Sequence, residues 1–441
     1  MKEPGWAGVG WTAVAKVAVM GLSGLLGIFT SRLIITEWGV DSYAQYGLIS
    51  SLSSLLPFAD LGMAAVVINV VAQSMSVRLD EEVLRTLTSA FRVLFVAGAI
   101  IAAVAVVIGL AGLWPVLLGA GLDPNGAGGL AATLSLVIFG LVLPLTVGQR
   151  ILVGLGRTPT QVASQAVFAP FVLVVIGACA LLSLPVGDLL PIVPYLGNGL
   201  VSVLCLIWAA RAISPQVAGA FRRLLSIRRH PGVPVMHLAW PMLVQMVALP
   251  IALQTDRIIV SQLSGVEALA EYNLAAQFFG IVLQTIAAAG VALWPIFARA
   301  RATGTIRTPT VPALVFLGGG LVLGIFTALL IPWLSEFVSD GEITVDSRLI
   351  IWFVVFVAFQ SVKYPLGMYM TDKPGLRFQV VPTILMIPVS IGLGIWLVPT
   401  WGGAGAIAGS AVAVALLQVA PGIWYVARDV RRRMRSATTA V

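Results

Sequence analysis

The chain is 441 residues long, 59% hydrophobic and only 10% charged, with a mean hydropathy of +1.01. A soluble chain carries roughly a quarter charged residues, so most of this one is not solvated by water and a soluble protein is excluded. The net charge of +8 is concentrated in short segments between apolar runs, which makes it a matter of membrane topology rather than of nucleic-acid binding.

Residues 1–6 are too short and too polar for a cleavable signal, so the first apolar segment reads as a retained helix. Segments of about 20 apolar residues, each able to cross a hydrocarbon core of roughly 30 Å, then recur to the end of the chain. They predict helices at 11–36, 43–72, 91–119, 130–153, 164–184, 191–213, 236–261, 270–298, 311–337, 347–370, 379–399 and 402–427. The fold class is therefore an all-α polytopic membrane protein of about twelve transmembrane helices. Cys179 and Cys205 lie inside apolar helices and point to neither a disulfide nor a metal site, and His230 and His237 sit close together at one polar junction.

The charges alternate from loop to loop. Arg78, Arg85, Arg92, Arg157, Arg211, Arg222, Arg223 and the tail from Arg428 to Arg435 fall on one side. Glu37, Asp41, Asp123, Asp188, Glu267 and Asp340 fall on the other, with Arg348 the basic exception. Basic short loops mark the cytoplasm, so an even number of spans places both termini inside, in the plasma membrane. The connector 214–235 stands at the midpoint. It separates an N-terminal six-helix half, 1–213, from a C-terminal half, 236–427, which ends in a basic tail, 428–441. The outer loops are no longer than about ten residues, leaving no room there for a catalytic domain, and the expectation is that the protein is not an enzyme.

The two halves share a signature. SRLIITEWGVDSYAQYGL, 31–48, carries Arg32, Gly39-Val40 and Tyr46; DRIIVSQLSGVEALAEYNL, 256–274, carries Arg257, Gly265-Val266 and Tyr272 in the same order with one residue of slip. An arginine, a Gly-Val turn and a tyrosine recurring in register indicate an internal duplication. Prolines such as Pro57 and Pro144 fall inside helices, where they kink the chain and free a carbonyl, and the Gly402/Gly405/Gly409 spacing permits close helix approach.

Ionisable residues within spans cost roughly 2.5–3.5 kcal/mol each on insertion scales and usually face a cavity or a partner. The candidates are Lys16, Arg32, Asp60, Arg150, Asp256, Arg257 and Lys363. Lys16 lies on a polar stripe of the first helix, about 24 Å along the axis from Arg32, while Asp60 comes within about one turn of the depth of Lys16 and is a possible partner for it. Gln245 and Asp256 share a face of the seventh helix; Asn273, Gln277 and Gln284 form a stripe on the eighth; Gln360, Lys363 and Tyr364 cluster on the tenth. Glutamine stripes suit a hydrated lumen that bonds sugar hydroxyls, and equally suit polar contacts between helices. Arg32 and Arg257 either line a cavity or snorkel to the interface. No phosphate-binding loop and no zinc-ligand spacing occurs, so neither a nucleotide, a metal nor any other cofactor is predicted.

The run from Ser31 to Met63 resembles the N-terminal signature of bacterial polysaccharide flippases of the O-antigen (Wzx) type, within the multidrug/oligosaccharidyl-lipid/polysaccharide exporter superfamily. The resembling features are the arginine ahead of the Gly-Val turn, the Tyr46-Gly47 pair and the Asp60–Gly62 triplet; Gly154–Arg157 is similar to the family's turn after the fourth helix. The resemblance implies two pseudo-symmetric six-helix halves rocking around a central cavity. Its substrate would be an undecaprenyl-pyrophosphate-linked oligosaccharide, carried outward at the expense of a proton or sodium gradient, within membrane lipids and alongside polysaccharide polymerase machinery. Arg32 and Asp60 lie in the matching motif. Together with the buried polar residues they complete a candidate set: Lys16, Arg32, Arg257, Gln277, Gln284 and Lys363 for substrate, and Asp60 and Asp256 for the coupling ion. A drug/cation antiporter of the same superfamily is the first alternative, and a non-transporting partner of a polysaccharide synthase the second.

Overall fold

The computed structural model describes residues 6–56, 59, 61–74, 76–123, 126–224, 226, 255–291, 293, 296–297, 300–301, 305 and 308–438, with the backbone alone at 6–17, 65, 291, 373 and 435–438. Every regular element among them is helical. The chain divides into two compact units, Met1–Val247 and Ala248–Val441.

The first unit begins with α1 (Trp6–Ser51), two helices that meet at Gly39, where φ is 86° and ψ 173°. A residue with a Cβ is strained there, and the glycine accommodates the kink between the two helices. The second arm tightens into a 3-10 turn, Leu52–Leu55, and α resumes only at α2 (Met63–Gln73). The sequence reads 43–72 as one helix, but Pro57 has no N–H and in an unbroken helix would press on the carbonyl of Ser53. The chain instead closes a shorter bond, from Leu56 N–H to Ser53 O at 3.2 Å, and passes Leu61 and Gly62 at positive φ.

Helix α3 (Glu81–Leu110) starts ten residues before the predicted span. Asp80 caps it by accepting from the Glu82 N–H at 2.9 Å, and Val83, Leu87, Ala90, Phe91 and Leu94 bury one face at helical spacing. After α4 (Trp114–Leu118), helix α5 (Gly128–Val142) crosses α3 at Gly98 and Gly140, where a Cβ on Gly98 would lie 2.1 Å from the Gly140 oxygen. A 3-10 turn, Leu143–Thr146, containing Pro144, links α5 to α6 (Val147–Gly154). Then follow α7 (Thr158–Gln165), α8 (Phe168–Leu181), α9 (Ile192–Ala212) and α10 (Gln216–Arg223). Phe91, Leu152, Cys205 and Ala220 belong to the core that α2, α3, α6, α9 and α10 share.

The second unit holds α11 (Asp256–Leu263), α12 (Gly265–Val291), α13 (Thr310–Ser339), α14 (Ser347–Tyr369), α15 (Lys373–Trp401), α16 (Gly403–Val414) and α17 (Ala420–Thr438). Helices α15 and α16 approach through the predicted glycines, since a Cβ on Gly405 would come 2.5 Å from the Leu397 carbonyl carbon. Outward faces stay apolar: Phe326, Leu329, Trp333 and Trp396 are all more than half exposed, a distribution that hydrocarbon tolerates and water does not.

Among the described residues ten helices are long and apolar enough to cross a membrane, and the protein is a multi-pass membrane protein. Twelve is not reached in this count for two reasons. The first hairpin counts as one element, Ala18–Leu55, and most of the predicted helix 236–261 lies outside the described residues.

Candidate functional site

The duplicated hairpins make matching contacts inside their own units. Gly39 and Gly265 both take positive φ, 86° and 84°. The residue just before each glycine is tied to a distant carbonyl: Trp38 Nε1 donates to Leu184 O at 2.9 Å, and Ser264 Oγ to Val398 O at 2.9 Å. The residue just before each repeat tyrosine accepts from a backbone N–H: Gln45 Oε1 from Asp123 at 3.3 Å, and a Glu271 carboxylate oxygen from Asp346. Leu184 precedes the sixth predicted span as Val398 precedes the twelfth, and Asp123 and Asp346 precede the fourth and the tenth. The repeat is therefore a repeat of tertiary contacts as well as of residue types.

Within this frame the residue ahead of the repeat arginine differs between the copies. Asp256 precedes Arg257, whereas Ser31 precedes Arg32; both are buried, Asp256 at 2% exposure. The Asp256 carboxylate accepts from Ser410 Oγ at 2.9 and 3.1 Å and from Tyr272 Oη at 3.3 Å. Ser390 and Ser410 hydroxyls lie 2.9 Å apart. A serine has one proton to give, so when Ser410 donates to the carboxylate, Ser390 donates to Ser410. Protonated, Asp256 becomes a donor and the direction of that chain can reverse. Tyr272 was legible as the repeat tyrosine. Ser390 and Ser410 were not, because α15 and α16 reach Asp256 only through the fold.

A second cluster lies on α14. Lys363 Nζ donates to Gln360 Oε1 at 3.0 Å and stands 5.6 Å from the Tyr364 ring centroid. Its recorded partners are thus neutral, and no carboxylate lies within ion-pairing distance of it among the described residues. The two clusters are at different depths. Phe353 touches the Tyr272 ring at 5.6 Å and stacks on Phe279 at 4.9 Å, and Lys363 follows ten residues later, about 15 Å along the axis.

The other predicted residues are placed as follows. Arg32, Arg257 and Gln277 are half-buried and Gln284 is exposed. Only the backbone of Lys16 is described, within α1, and Asp60, Gln245, His230 and His237 lie outside the described residues, as does the Lys16–Asp60 pairing. No three His, Cys, Asp or Glu side chains converge among the described residues.

Charge clusters cap one end of each unit. In the first, Arg223 pairs with Glu81 at 2.6 Å, and the hydroxyl of Ser74 with the N–H of Glu82 holds the Asp80 carboxyl below its ordinary range. In the second, Asp429 accepts from Tyr369 Oη at 2.7 Å and from Arg433 Nε at 2.8 Å, and Arg301 stands over the Tyr369 ring at 5.4 Å.

The chain is similar to several solved structures. An inward-facing multidrug resistance transporter of the MATE family, MOP superfamily, superposes with a TM-score of 0.72 at 14% identity, over 96% of this chain and 99% of that one. The lipid II flippase MurJ in an inward closed conformation gives 0.65 at 14% identity, over 95% and 90%. A MOP superfamily transporter from Pyrococcus furiosus gives 0.60 at 13%, over 96% and 95%. Identities this low establish a shared fold. No curated protein matches the sequence. The family model for polysaccharide biosynthesis proteins matches residues 6–301, well over half of the chain, and the chain therefore belongs to the polysaccharide biosynthesis protein family.

Proposed function

We propose that this protein is a flippase that carries an undecaprenyl-pyrophosphate-linked oligosaccharide repeat unit across the plasma membrane by ion-gradient-driven alternating access. The observation that carries the reading is Lys363, an ammonium within a predicted span whose recorded contacts are a neutral amide and an aromatic ring. A cation kept there against a cost of roughly 2.5–3.5 kcal/mol suits an anionic ligand, and a pyrophosphate supplies one. Lys16, Arg32 and Arg257, which stand at other depths, meet the diphosphate at successive stages of its passage, Gln277 and Gln284 contact the sugars, and Asp60 and Asp256 take the coupling proton or sodium ion. Both termini are assigned to the cytoplasm, where the polymerase machinery's precursors are made. Membership of a polysaccharide biosynthesis family supports the class of cargo.

The test is flipping of a fluorescent undecaprenyl-pyrophosphate oligosaccharide in proteoliposomes. One charge-assisted hydrogen bond contributes about 1.5–3 kcal/mol, so Lys363→Met is expected to weaken apparent substrate affinity roughly 10- to 100-fold. Its melting temperature should stay level or rise, since an expensive charge is gone. Unchanged flipping in that variant would remove Lys363 from the site. The buried carboxylate of Asp256 favours one second reading, a drug/cation antiporter; proton-driven efflux of a cationic dye, with no flipping of the lipid-linked glycan, would establish it instead.

A further inference from the structure

The first unit contains a cavity of about 220 Å³ that none of the residues above occupies. Its walls include Ser53 and Ser54 of the 3-10 turn after α1, Thr146 of the 3-10 turn after α5, Gln149 of α6, and Tyr195 and Asn198 of α9. Two candidate spans thus leave the α conformation beside one cavity. Irregular backbone at membrane depth is tolerated where it is buried in protein or lines a cavity, and local 3-10 stretches often mark functional positions.

The chemistry of the lining is uniform. Among the described residues it has hydroxyls, amides, the rings of Phe139 and Tyr195 and the aliphatic Val142 and Leu143, and no Asp, Glu, Lys, Arg or His. The scaffold holds part of it rigid. Tyr195 Oη donates to Ile49 O at 2.7 Å and accepts from Ser53 N–H at 3.2 Å, and its ring meets Phe139 edge-on at 6.5 Å. Gln149 Nε2 donates to Ser202 Oγ at 3.1 Å, which fixes the amide and directs its remaining capacity elsewhere. Asn198 is exposed and brings two donors and an acceptor. Ser50, one turn before Ser54, has a buried hydroxyl with no partner among the described residues, a polar surplus on the same stretch.

We infer that this cavity is a subsite for one neutral, polyhydroxylated ring, a sugar residue of the transported glycan. Rigid amide and hydroxyl groups bond its hydroxyls, and the Phe139–Tyr195 pair takes its apolar face. The uncharged lining rejects the pyrophosphate, which stays with the basic residues, and the volume is below the roughly 300–1,000 Å³ of drug-sized sites. The inference rests on the flippase reading.

The experiment compares wild type with Asn198→Ala, Gln149→Ala and Ser54→Leu, the last filling the cavity without deleting an amide, in the same proteoliposome assay. Purified full-length proteins are melted in parallel with neutral methyl glycosides and with inorganic pyrophosphate. A lost hydrogen bond predicts flipping and glycoside affinity lower by roughly three- to tenfold in each alanine variant, with the pyrophosphate response unchanged. Variants that flip at the wild-type rate overturn the subsite and leave the flippase standing. If wild type does not flip at all, the flippase reading fails. The cavity is then judged on the glycosides alone: stabilisation of wild type but not of Asn198→Ala keeps it as a sugar site, and no stabilisation of wild type removes it.

Discussion

A carboxylate buried at 2% exposure needs donors, and Asp256 draws them from two other helices, Ser410 on α16 and Tyr272 on α12. Losing or gaining a proton there changes which groups donate, and so changes how three helices are tied. Asp256→Asn keeps the shape and imitates the protonated acid, with one accepting oxygen and a donor group, but removes the titration. Under the proposed role, its flipping is expected to become insensitive to an imposed proton or sodium gradient while the melting temperature holds; a retained gradient response would place coupling elsewhere. The sequence marked Asp256, because a charge in an apolar run is conspicuous. It also grouped Lys363 with Gln360 and Tyr364, since offsets of three and four share a helix face. Ser390 and Ser410 are unremarkable among small residues, and their part depends on contacts 20 and 154 positions apart in the chain.

At the scale of elements, glycine positions divide into those that set geometry and those that do not. A Cβ on Gly98 would lie 2.1 Å from Gly140 O, whereas one on Gly21 meets nothing within 4 Å. Gly98→Ala must push α3 and α5 apart, and overpacking of this kind typically costs about 1–3 kcal/mol. Gly21→Ala is expected to be neutral or to gain up to about 1 kcal/mol of helix propensity. Gly39→Ala has space but the wrong backbone, and is expected to cost about 1–3 kcal/mol. Melting curves of the three variants check the order, and a Gly98→Ala protein as stable as wild type would refute the tight crossing. The long helices were legible from runs of apolar residues, but α10, inside the predicted connector 214–235, was not, nor were the places where spans break or extend. The stop after Ser51 depends on Pro57, which the composition of 43–72 hides. The early start of α3 depends on the Asp80 cap and on an amphipathic first turn that a search for apolar runs passes over.

At the scale of the whole molecule, the alternation of basic and acidic loops predicts the sides. Single cysteines at Asp41, Glu267 and Gly341 are expected to react with a membrane-impermeant maleimide from outside intact cells, and cysteines at Arg222 and Arg431 only after lysis, in a background lacking Cys179 and Cys205. Labelling in the reverse pattern would invert the topology and with it the direction of transport. By itself the sequence determined the membrane class, the helical content and the duplication, because hydrocarbon enforces long apolar runs and a repeat survives as residue order. Tertiary structure alone decided that the duplicated hairpins make matching ties to distant loops, that Asp256 is held by Ser410 of α16, itself bonded to Ser390 of α15, and that two broken helices line a cavity with no charged residue among the described ones. Those features arise where helices far apart in the chain meet, and local periodicity carries no record of which faces do.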